Sequence, residues 1–326
     1  MLPPQIVELG KTRMASGYDI PAQYAGRVRI GTCSWKYDSW KGLVYEPDKR
    51  YHPDDYLPDY AQHFTTVEID QWFWSLFPTG VKLPDPDTAQ RYADSVPDDF
   101  RFTVKVPNSL TLTHSYAKQP KGSEHHANEP NPHFLSGELL NRFLETLTPL
   151  HAKLGPLLFQ FEYLNRQKMP SLAAFLDRLH TFFAATPAGF QYAIETRNPN
   201  YLKEEFAEVL RQLGLGFVLL DGYYMPRLAE VAAKLDIRTA PFSIIRLLGP
   251  ARAEIEKETG GTWNQIVEPK DEGLEATADI VSQNVDFGLD TYVNVNNHYE
   301  GSGPLTIQRL LDLLRQRSSR SVWAPA

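Results

Sequence analysis

Hydrophobic and polar positions follow two different periods along the chain. Short runs rich in Val, Ile and Phe alternate with longer segments whose apolar residues recur every three or four positions, which predicts strands separated by helices. The eight predicted strands are Val28–Trp35, Thr66–Gln71, Phe100–Pro107, Pro156–Glu162, Phe190–Arg197, Leu215–Asp221, Phe242–Gly249 and Thr291–Asn297. The clearest predicted helices are Gly137–Leu154, Ser171–Ala185, Lys203–Leu213, Arg227–Leu235, Gly273–Asp286 and Leu305–Arg317.

This alternation predicts an α/β fold, a single (β/α)8 TIM barrel. Strands joined by crossover helices form parallel sheets, and eight such units match a closed barrel better than a six-stranded open sheet. We place the barrel at residues 27–318, after an N-terminal extension at 1–26 and before a C-terminal tail at 319–326. Two segments exceed ordinary loop length, Asn108–Ser136 and Pro250–Lys270, and both leave the strand ends where barrel enzymes place lids.

The strand period turns polar side chains towards the barrel interior. Because side chains alternate across a strand, each apolar residue that faces the helices leaves its neighbours facing inward. The inward set is Glu68, Asp70, Thr103, Lys105, Gln160, Glu162, Glu195, Arg197, Arg246, Asn294 and Asn296. Asp221 is a further acid at a strand end.

A buried charge costs several kcal/mol unless it is paired or solvated, so this constellation predicts either an ion-pair network or a functional site. The position near the carboxyl ends of the strands favours the site. We expect Glu68 and Glu195 to act as acid and base, with Lys105 and Arg197 stabilising charge. The predicted ligand-binding residues are Trp35, Tyr37, Asp70, Gln160, Arg246, Asn294, Asn296 and Asn297. The alternative is an ion-pair cluster of Glu68, Lys105, Glu195 and Arg197 that closes the barrel mouth.

A phosphate site is a second hypothesis. Gly301, Ser302 and Gly303 follow the eighth strand and precede the last helix, and Gly249 closes the seventh strand. Barrels often bind phosphate there through backbone N–H groups at a helix N-terminus. The alternative is that these glycines form ordinary turns.

Aromatic residues cluster after the first two strands. Trp35, Tyr37 and Trp40 follow one, and the run 72–74 (Trp, Phe, Trp) follows the other. These rings suit either a stacking wall for a ligand or the packing of loops onto the barrel.

Composition narrows the partners. The net charge of −7 argues against broad nucleic-acid binding, which requires clustered Lys and Arg. Cys33 is the one cysteine, so no intrachain disulfide forms, and a reducing cytoplasm is the expected location. Apolar runs are too short for a membrane span of about 20 residues. The near balance of acids and bases in the inward set predicts an anionic or hydroxyl-rich small-molecule ligand.

No cofactor is clearly encoded. Glu68, Glu195 and His298 are conceivable ligands for a divalent metal at the mouth, although the three nearby cations count against it. His114, His125, His126 and His133 lack metal-ligand spacing. We therefore assign no metal ligand, and we interpret Cys33 as a core residue.

The motifs IGTCSWKYDSWKGLVYEP, FTTVEIDQWFW, FRFTVKVP, LGPLLFQF, YAIETRNPNYL and YVNVNNHYEGSGP resemble those of the YecE-like family, a domain family of unknown function, over about residues 28–315. The resemblance implies a TIM barrel and no particular activity. Residues that match the family's characteristic positions are Trp35, Tyr37, Trp40, Glu68, Lys105, Gln160, Glu195, Arg197, Asn296 and Asn297. The chain departs from the pattern at Cys33-Ser34, at Glu162 and at Leu248. The last departure replaces a histidine that is often found there. If that histidine is a general acid, base or metal ligand, Leu248 cannot take its role, so either the activity of this chain is altered or a nearby residue such as His298 substitutes.

The leading hypothesis is an enzyme, an isomerase or hydrolase, that acts on a sugar-like or phosphorylated small molecule. A retaining glycosidase normally takes one carboxylate from the seventh strand, where this chain has Arg246, which counts against that class. The alternatives are a metal-dependent phosphoester hydrolase or nuclease, and a noncatalytic protein that binds a small anion.

Overall fold

The computed structural model describes residues 17–77, 80–115, 129–249 and 252–321. Residues 1–16 of the predicted extension, 322–326 of the predicted tail and parts of the two long loops, with His125 and His126, lie outside these ranges. Among the described helices, none combines the length and the apolar character that crossing a bilayer requires.

Ten strands are present in the described residues. They are β1 Val28–Thr32, β2 Thr66–Ile69, β3 Leu76–Phe77, β4 Gly80–Val81, β5 Arg101–Lys105, β6 Leu154–Gln160, β7 Tyr192–Glu195, β8 Gly216–Gly222, β9 Phe242–Gly249 and β10 Asp290–Val295. Eight of them form one parallel sheet in the order β1-β10-β9-β8-β7-β6-β5-β2, and a bridge from Cys33 to Glu68 connects its two ends. The predicted single-domain barrel of eight parallel strands is confirmed; β3 and β4 form a small hairpin that the pattern did not predict.

The α-helices of the described chain surround this sheet. They are α1 Tyr56–His63, α2 Pro86–Ser95, α3 Asn108–Thr111, α4 Gly137–Thr146, α5 Leu172–Phe183, α6 Glu204–Gln212, α7 Leu228–Lys234, α8 Arg252–Thr259, α9 Asp271–Asp286 and α10 Gly303–Ser321. The predicted single helix Gly137–Leu154 is wrong. It divides into α4 and a 3-10 turn, Thr148–Lys153, because Pro149 lacks an N–H and disfavours a continuous helix. The loop after β9 contains α8, and α10 ends four residues beyond Arg317.

A side chain completes the barrel where β1 meets β2. Gly31 brings the strands together, since a Cβ there would lie 2.0 Å from the Thr66 carbonyl oxygen. The hydroxyl of buried Tyr60 in α1 accepts from the Thr32 N–H at 2.9 Å and donates to that Thr66 oxygen at 3.0 Å. Beyond this point Ser34 N–H donates to the Glu68 carbonyl at 3.0 Å. The seam is therefore held by both backbone and phenol.

The barrel interior is apolar at the amino ends of its strands. An interior cluster contains Leu158, Ala193, Val218, Phe242, Ile244 and Tyr292. The residues between them, such as Phe159, Ile194 and Ile245, face the helices and join the main core. This alternation places the next inward residues of the same strands at the carboxyl end, where the polar side chains lie.

Candidate active site at the barrel mouth

Arg246 in β9 connects two buried carboxylates. Its Nε and Nη2 donate to the two oxygens of Glu68 at 2.8 and 2.6 Å, and its Nη1 donates to Glu195 Oε2 and, at 3.1 Å, to Gln160 Oε1. Glu68 and Glu195 are 0% exposed and Arg246 is 3% exposed. Charges this deep are stable only when paired with good geometry, and the bidentate contact to Glu68 supplies it.

Arg197, two residues beyond Glu195, extends this network to the rim. Its Nε donates to Glu195 Oε1 at 2.5 Å, so both oxygens of Glu195 are held by guanidinium groups. Burial alone would raise the pKa of Glu195, but Arg197 and Arg246 lower it to about 2. The ionised carboxylate thus stabilises the fold above its unfolded pKa, and this stabilisation is lost as the pH falls towards 2. Glu195 is poorly suited to act as an acid near neutral pH.

The ion-pair alternative describes part of the constellation. Glu68, Glu195, Arg197 and Arg246 form a paired network, with two carboxylates against two guanidinium groups. Lys105 is not part of it, because no described residue forms a hydrogen bond or ion pair with its Nζ. The Lys105 amine therefore lies beside the network without being paired to it.

Lys105 ends β5, and its ammonium lies over an aromatic ring. Its Nζ is 3.8 Å from the ring centre of Phe73. Burial, followed by the positive charge of Arg246, lowers the pKa of Lys105 to about 8, against the opposing influence of Glu68, Asp70 and Glu195. A lysine that is partly neutral near physiological pH can accept or donate a proton.

Asp70 and Tyr37 lie on the same side of the mouth. Asp70 follows β2 one residue beyond the Ile69–Val104 pair, which places it beside Lys105. Burial, and then the charge of Glu68, raises the pKa of Asp70. Burial and the charge of Asp70 raise the pKa of the Tyr37 hydroxyl, which stays protonated. All three side chains are partly exposed, in contrast to Glu68.

Sequence reasoning missed the aromatic face beside Arg197. The Arg197 guanidinium lies 4.2 Å from the ring centre of Tyr223, which follows β8 and is 39% exposed. Tyr163 and Tyr224 are also exposed and meet edge to face at 6.2 Å. The signal was available, because Tyr223 closely follows a predicted strand and barrel sites are built from the loops after the strands.

The three predicted asparagines lie in three different environments. Asn294 is fully buried and in register with Arg246, and neither atom of its amide has a partner in the described residues. Asn297 accepts from Trp40 Nε1 at 3.3 Å and from Gly303 N–H at 2.9 Å, which joins β10 to α10. Asn296 is at the rim, where its Oδ1 contacts His298.

The glycines predicted to bind phosphate have other contacts. Gly303 N–H already donates to Asn297, and the next residue, Pro304, has no N–H. A Cβ on Gly301 would lie 2.6 Å from the Gln265 carbonyl, and one on Gly249 would lie 2.3 Å from the His298 carbonyl. Both glycines therefore allow close backbone packing. Ser302 is buried, and its Oγ has no partner in the described chain, so phosphate binding stays a prediction.

Trp35 is buried and packs edge to face on Tyr92 at 5.1 Å. Trp40 is buried as well, with Tyr37 tilted against it at 4.6 Å. These contacts favour loop packing for both tryptophans, while the partly exposed Tyr37 remains near Asp70.

One side of the mouth is apolar. Cys33, Leu220 and Leu248 form a buried cluster, with Met225 packed against it. Burial and the charge of Glu68 raise the pKa of the Cys33 thiol, which agrees with its interpretation as a core residue. Leu248 thus provides packing where the family pattern has histidine.

The conceivable metal ligands have other partners. Glu68 and Glu195 bind Arg246, and His298 contacts Asn296 at 2.5 Å and Glu256 at 3.0 Å. Within the described ranges no three His, Cys, Asp or Glu side chains are arranged to hold a metal ion. Glu162 was expected to face inward, but it lies past the end of β6 and pairs with Lys168 at 2.5 Å.

Fold and site together define a TIM-barrel protein with a charged network and a partly exposed lysine at the carboxyl ends of its strands. The chain belongs to the family described as protein of unknown function DUF72, whose model matches residues 29–326.

A curated relative agrees with this membership, and solved structures share the fold. The chain is 26% identical over 200 residues to the UPF0759 protein YecE of Escherichia coli K12, a match that covers 60% of this chain and 59% of YecE. A DUF72 family protein from Thermotoga maritima has a similar fold, with a TM-score of 0.61, 23% identity, and coverage of 89% of this chain and 99% of that one. A DUF72 family protein from Enterococcus faecalis has a TM-score of 0.55 and 18% identity, over 87% and 95% of the two chains.

Proposed function

We propose that the protein is an enzyme that acts on a hydroxyl-rich, anionic small molecule, such as a phosphorylated sugar, at the barrel mouth. One observation carries the proposal: the two guanidinium groups of Arg197 and Arg246 balance the two buried glutamates, which leaves the Lys105 cation outside the network and the Nη donors of Arg197 at its edge. A charged ligand gains most from cations that the protein has not already neutralised.

Arg197 is the residue we expect to bind the anionic group. Its Nε contacts Glu195, whereas its Nη1 and Nη2 have no hydrogen-bonding partner among the described residues. A guanidinium presents such donors in a planar fork that matches phosphate or carboxylate. Tyr223 against its face fixes the plane of that fork.

Lys105 and Asp70 are the groups we expect to transfer protons. The pKa of Lys105 is lowered to about 8, and that of Asp70 is raised. Both shifts move these groups towards neutral pH, where a general acid or base works best. The acid and base roles that the sequence suggested for Glu68 and Glu195 suit this pair better. Isomerisation is the favoured reaction class, because it needs two proton transfers and no further reagent.

Thermal unfolding tests the binding part. We expect ribose 5-phosphate at 100 times its Kd to stabilise the protein by about 2.7 kcal/mol, and ribose at the same concentration to stabilise it less. Arg197→Met should abolish the difference between the two ligands. Arg142→Met, on an exposed surface of α4, is the matched control and should retain it. Equal stabilisation by ribose and ribose 5-phosphate, or an unchanged response in Arg197→Met, would overturn the proposal.

Proton exchange tests the catalytic part. In deuterated water, an isomerase should incorporate deuterium into a bound phosphosugar, which NMR detects, and Asp70→Asn should slow the incorporation. A phosphosugar that stabilises the protein without any exchange would instead support the noncatalytic anion-binding alternative. We also propose a cytoplasmic location, consistent with the single buried thiol of Cys33, which cell fractionation tests.

A further inference from the structure

We infer that Lys105 is a covalent nucleophile, whose Nζ forms a reversible imine with the carbonyl carbon of an open-chain aldehyde or ketone at the barrel mouth. This inference rests on the proposed function and narrows its substrate class to phosphorylated carbonyl compounds. It gives Lys105 a covalent role in place of proton transfer, and Asp70 keeps the proton-transfer role. The geometry of the Lys105 side chain carries the argument.

Within the described ranges, the Lys105 amine has no acceptor for its protons. Lys168, in the loop after β6, pairs with Glu162, and both arginines of the mouth pair with glutamates. In the part of the chain that the structure describes, Lys105 Nζ contacts the ring of Phe73 instead. A nucleophilic amine must lose a proton to free its lone pair, and a carboxylate partner would oppose that loss.

Phe73 holds this amine in one place. Its N–H donates to the Asp70 carbonyl at 3.1 Å, and its carbonyl accepts from Asn108 N–H at 2.7 Å. The ring is therefore fixed between β2 and α3, and Lys105 itself stands on a strand. A ring face attracts an ammonium, which opposes deprotonation. The neighbouring Arg246 charge and burial act in the other direction, and together they lower the pKa of Lys105.

The chemistry balances without any further reagent. The Nζ lone pair forms a C–N bond to the carbonyl carbon, and the carbonyl oxygen takes up a proton to give a carbinolamine. That hydroxyl then leaves as water, with one proton from an acid, and the nitrogen loses its remaining extra proton. Asp70, with its raised pKa, is the group placed to supply the proton. The resulting imine acidifies the adjacent C–H, so the Asp70 carboxylate can remove this proton, and its return to the opposite face of the same carbon inverts that centre. Water then hydrolyses the imine, which releases the epimer and the free amine.

Borohydride trapping tests the imine directly. Wild-type protein is incubated with ribose 5-phosphate, or with glyceraldehyde 3-phosphate, and sodium borohydride, and is then analysed by intact and peptide mass spectrometry. We expect one reduced adduct per chain, mapped to the peptide containing Lys105. Lys105→Arg should abolish the adduct, while Lys203→Arg, at a side chain that is 57% exposed, should retain it.

Each outcome of the trapping experiment either supports or overturns the inference. An adduct confined to Lys105 in wild-type protein supports the inference whether or not Lys105→Arg folds. Adducts spread over exposed lysines, equally in wild type and Lys105→Arg, overturn it. Phosphate-specific stabilisation that depends on Arg197, without any trapped adduct, overturns the imine and leaves the proposed function standing. Absence of both stabilisation and adduct with these sugars overturns both.

Discussion

Two layers of the same barrel interior have opposite character. At the amino ends of the strands, the interior is filled by apolar side chains such as Phe242, Ile244 and Tyr292. One inward position further along β9, Arg246 connects two carboxylates in a nearly water-free setting. A single strand thus passes from close-packed core to buried ion network within two residues.

The difference shows which layer is built for stability. Burying apolar side chains stabilises a fold by about 1.5–3 kcal/mol each, whereas a buried ion pair often contributes no more than an apolar replacement of the same size. Gly216 shows how tightly the apolar layer at the amino ends is packed, since a Cβ there would lie 2.5 Å from Phe242 Cε2. Stability does not explain the layer of buried charges around Arg246, whereas the proposed chemistry at its edge does.

The largest expected effect comes from breaking the ion network. Arg246→Met leaves Glu68 and Glu195 buried without their shared partner, so we expect a loss of about 3–5 kcal/mol in the free energy of unfolding. Denaturant unfolding at pH 7 measures it.

Arg252→Met is the matched control, because Arg252 forms an ion pair with Glu256 at the surface of α8. That pair should contribute at most about 1 kcal/mol. Similar losses in the two variants would contradict our view of the Arg246 network.

Replacing Lys105, beside the network, should change the free energy of unfolding in the opposite direction. The pKa of Lys105 is about 8 in the folded protein and near 10.5 in the unfolded chain, so the unfolded chain binds more protons between these values. Folding stability should therefore rise as the pH increases from about 8 to 10.5, and Lys105 should cost stability below pH 8. Lys105→Met should raise the free energy of unfolding at pH 7 by about 2 kcal/mol, after allowance for partial exposure, and flatten the rise.

Unfolding of wild type, Lys105→Met and Lys203→Met from pH 6 to 10.5 makes the comparison. The exposed Lys203 should show neither effect. Destabilisation of Lys105→Met at pH 7 would mean that the amine stabilises the fold, as a structural ion does.

The smallest expected effect comes from a substitution in the apolar layer. Ile244→Val removes one methylene from the apolar layer and should cost about 1 kcal/mol. Calorimetric or denaturant unfolding measures the loss, and the thermal response to ribose 5-phosphate should be unchanged. A lost ligand response would show that the two layers do not act separately.

Strand periodicity was enough to predict the barrel and to separate inward from outward residues within its strands, although it failed at Glu162, which lies past the end of β6. The alternation in segments such as FSIIRLLG separates Ile244 and Arg246 from Ile245 and Leu247, and the structure agrees. Boundaries were less accurate, because strand ends depend on where neighbours stop pairing. Pro149 should have ended the predicted long helix, since its chemistry is local and visible in the sequence.

The pairings within the site were beyond a single sequence. Glu68 and Arg246 are 178 residues apart, and one strand period does not say which inward acid meets which inward base. Glu195 was predicted to be catalytic because it is an inward acid, yet two guanidinium groups hold its oxygens. The contact between Lys105 and Phe73 was equally hidden, since it depends on how the turn after β2 folds back.

Tyr60 makes the seam of the barrel its least uniform line. In the described residues, the ends of β1 and β2 meet in one isolated bridge, at Cys33 and Glu68, instead of a continuous ladder, and the phenol of Tyr60 links Thr32 to Thr66 across the same seam. Amide exchange through local opening begins where backbone hydrogen bonds are fewest. We therefore expect local opening of the barrel to begin beside Glu68, at the proposed site, while the remaining strand pairs stay hydrogen-bonded.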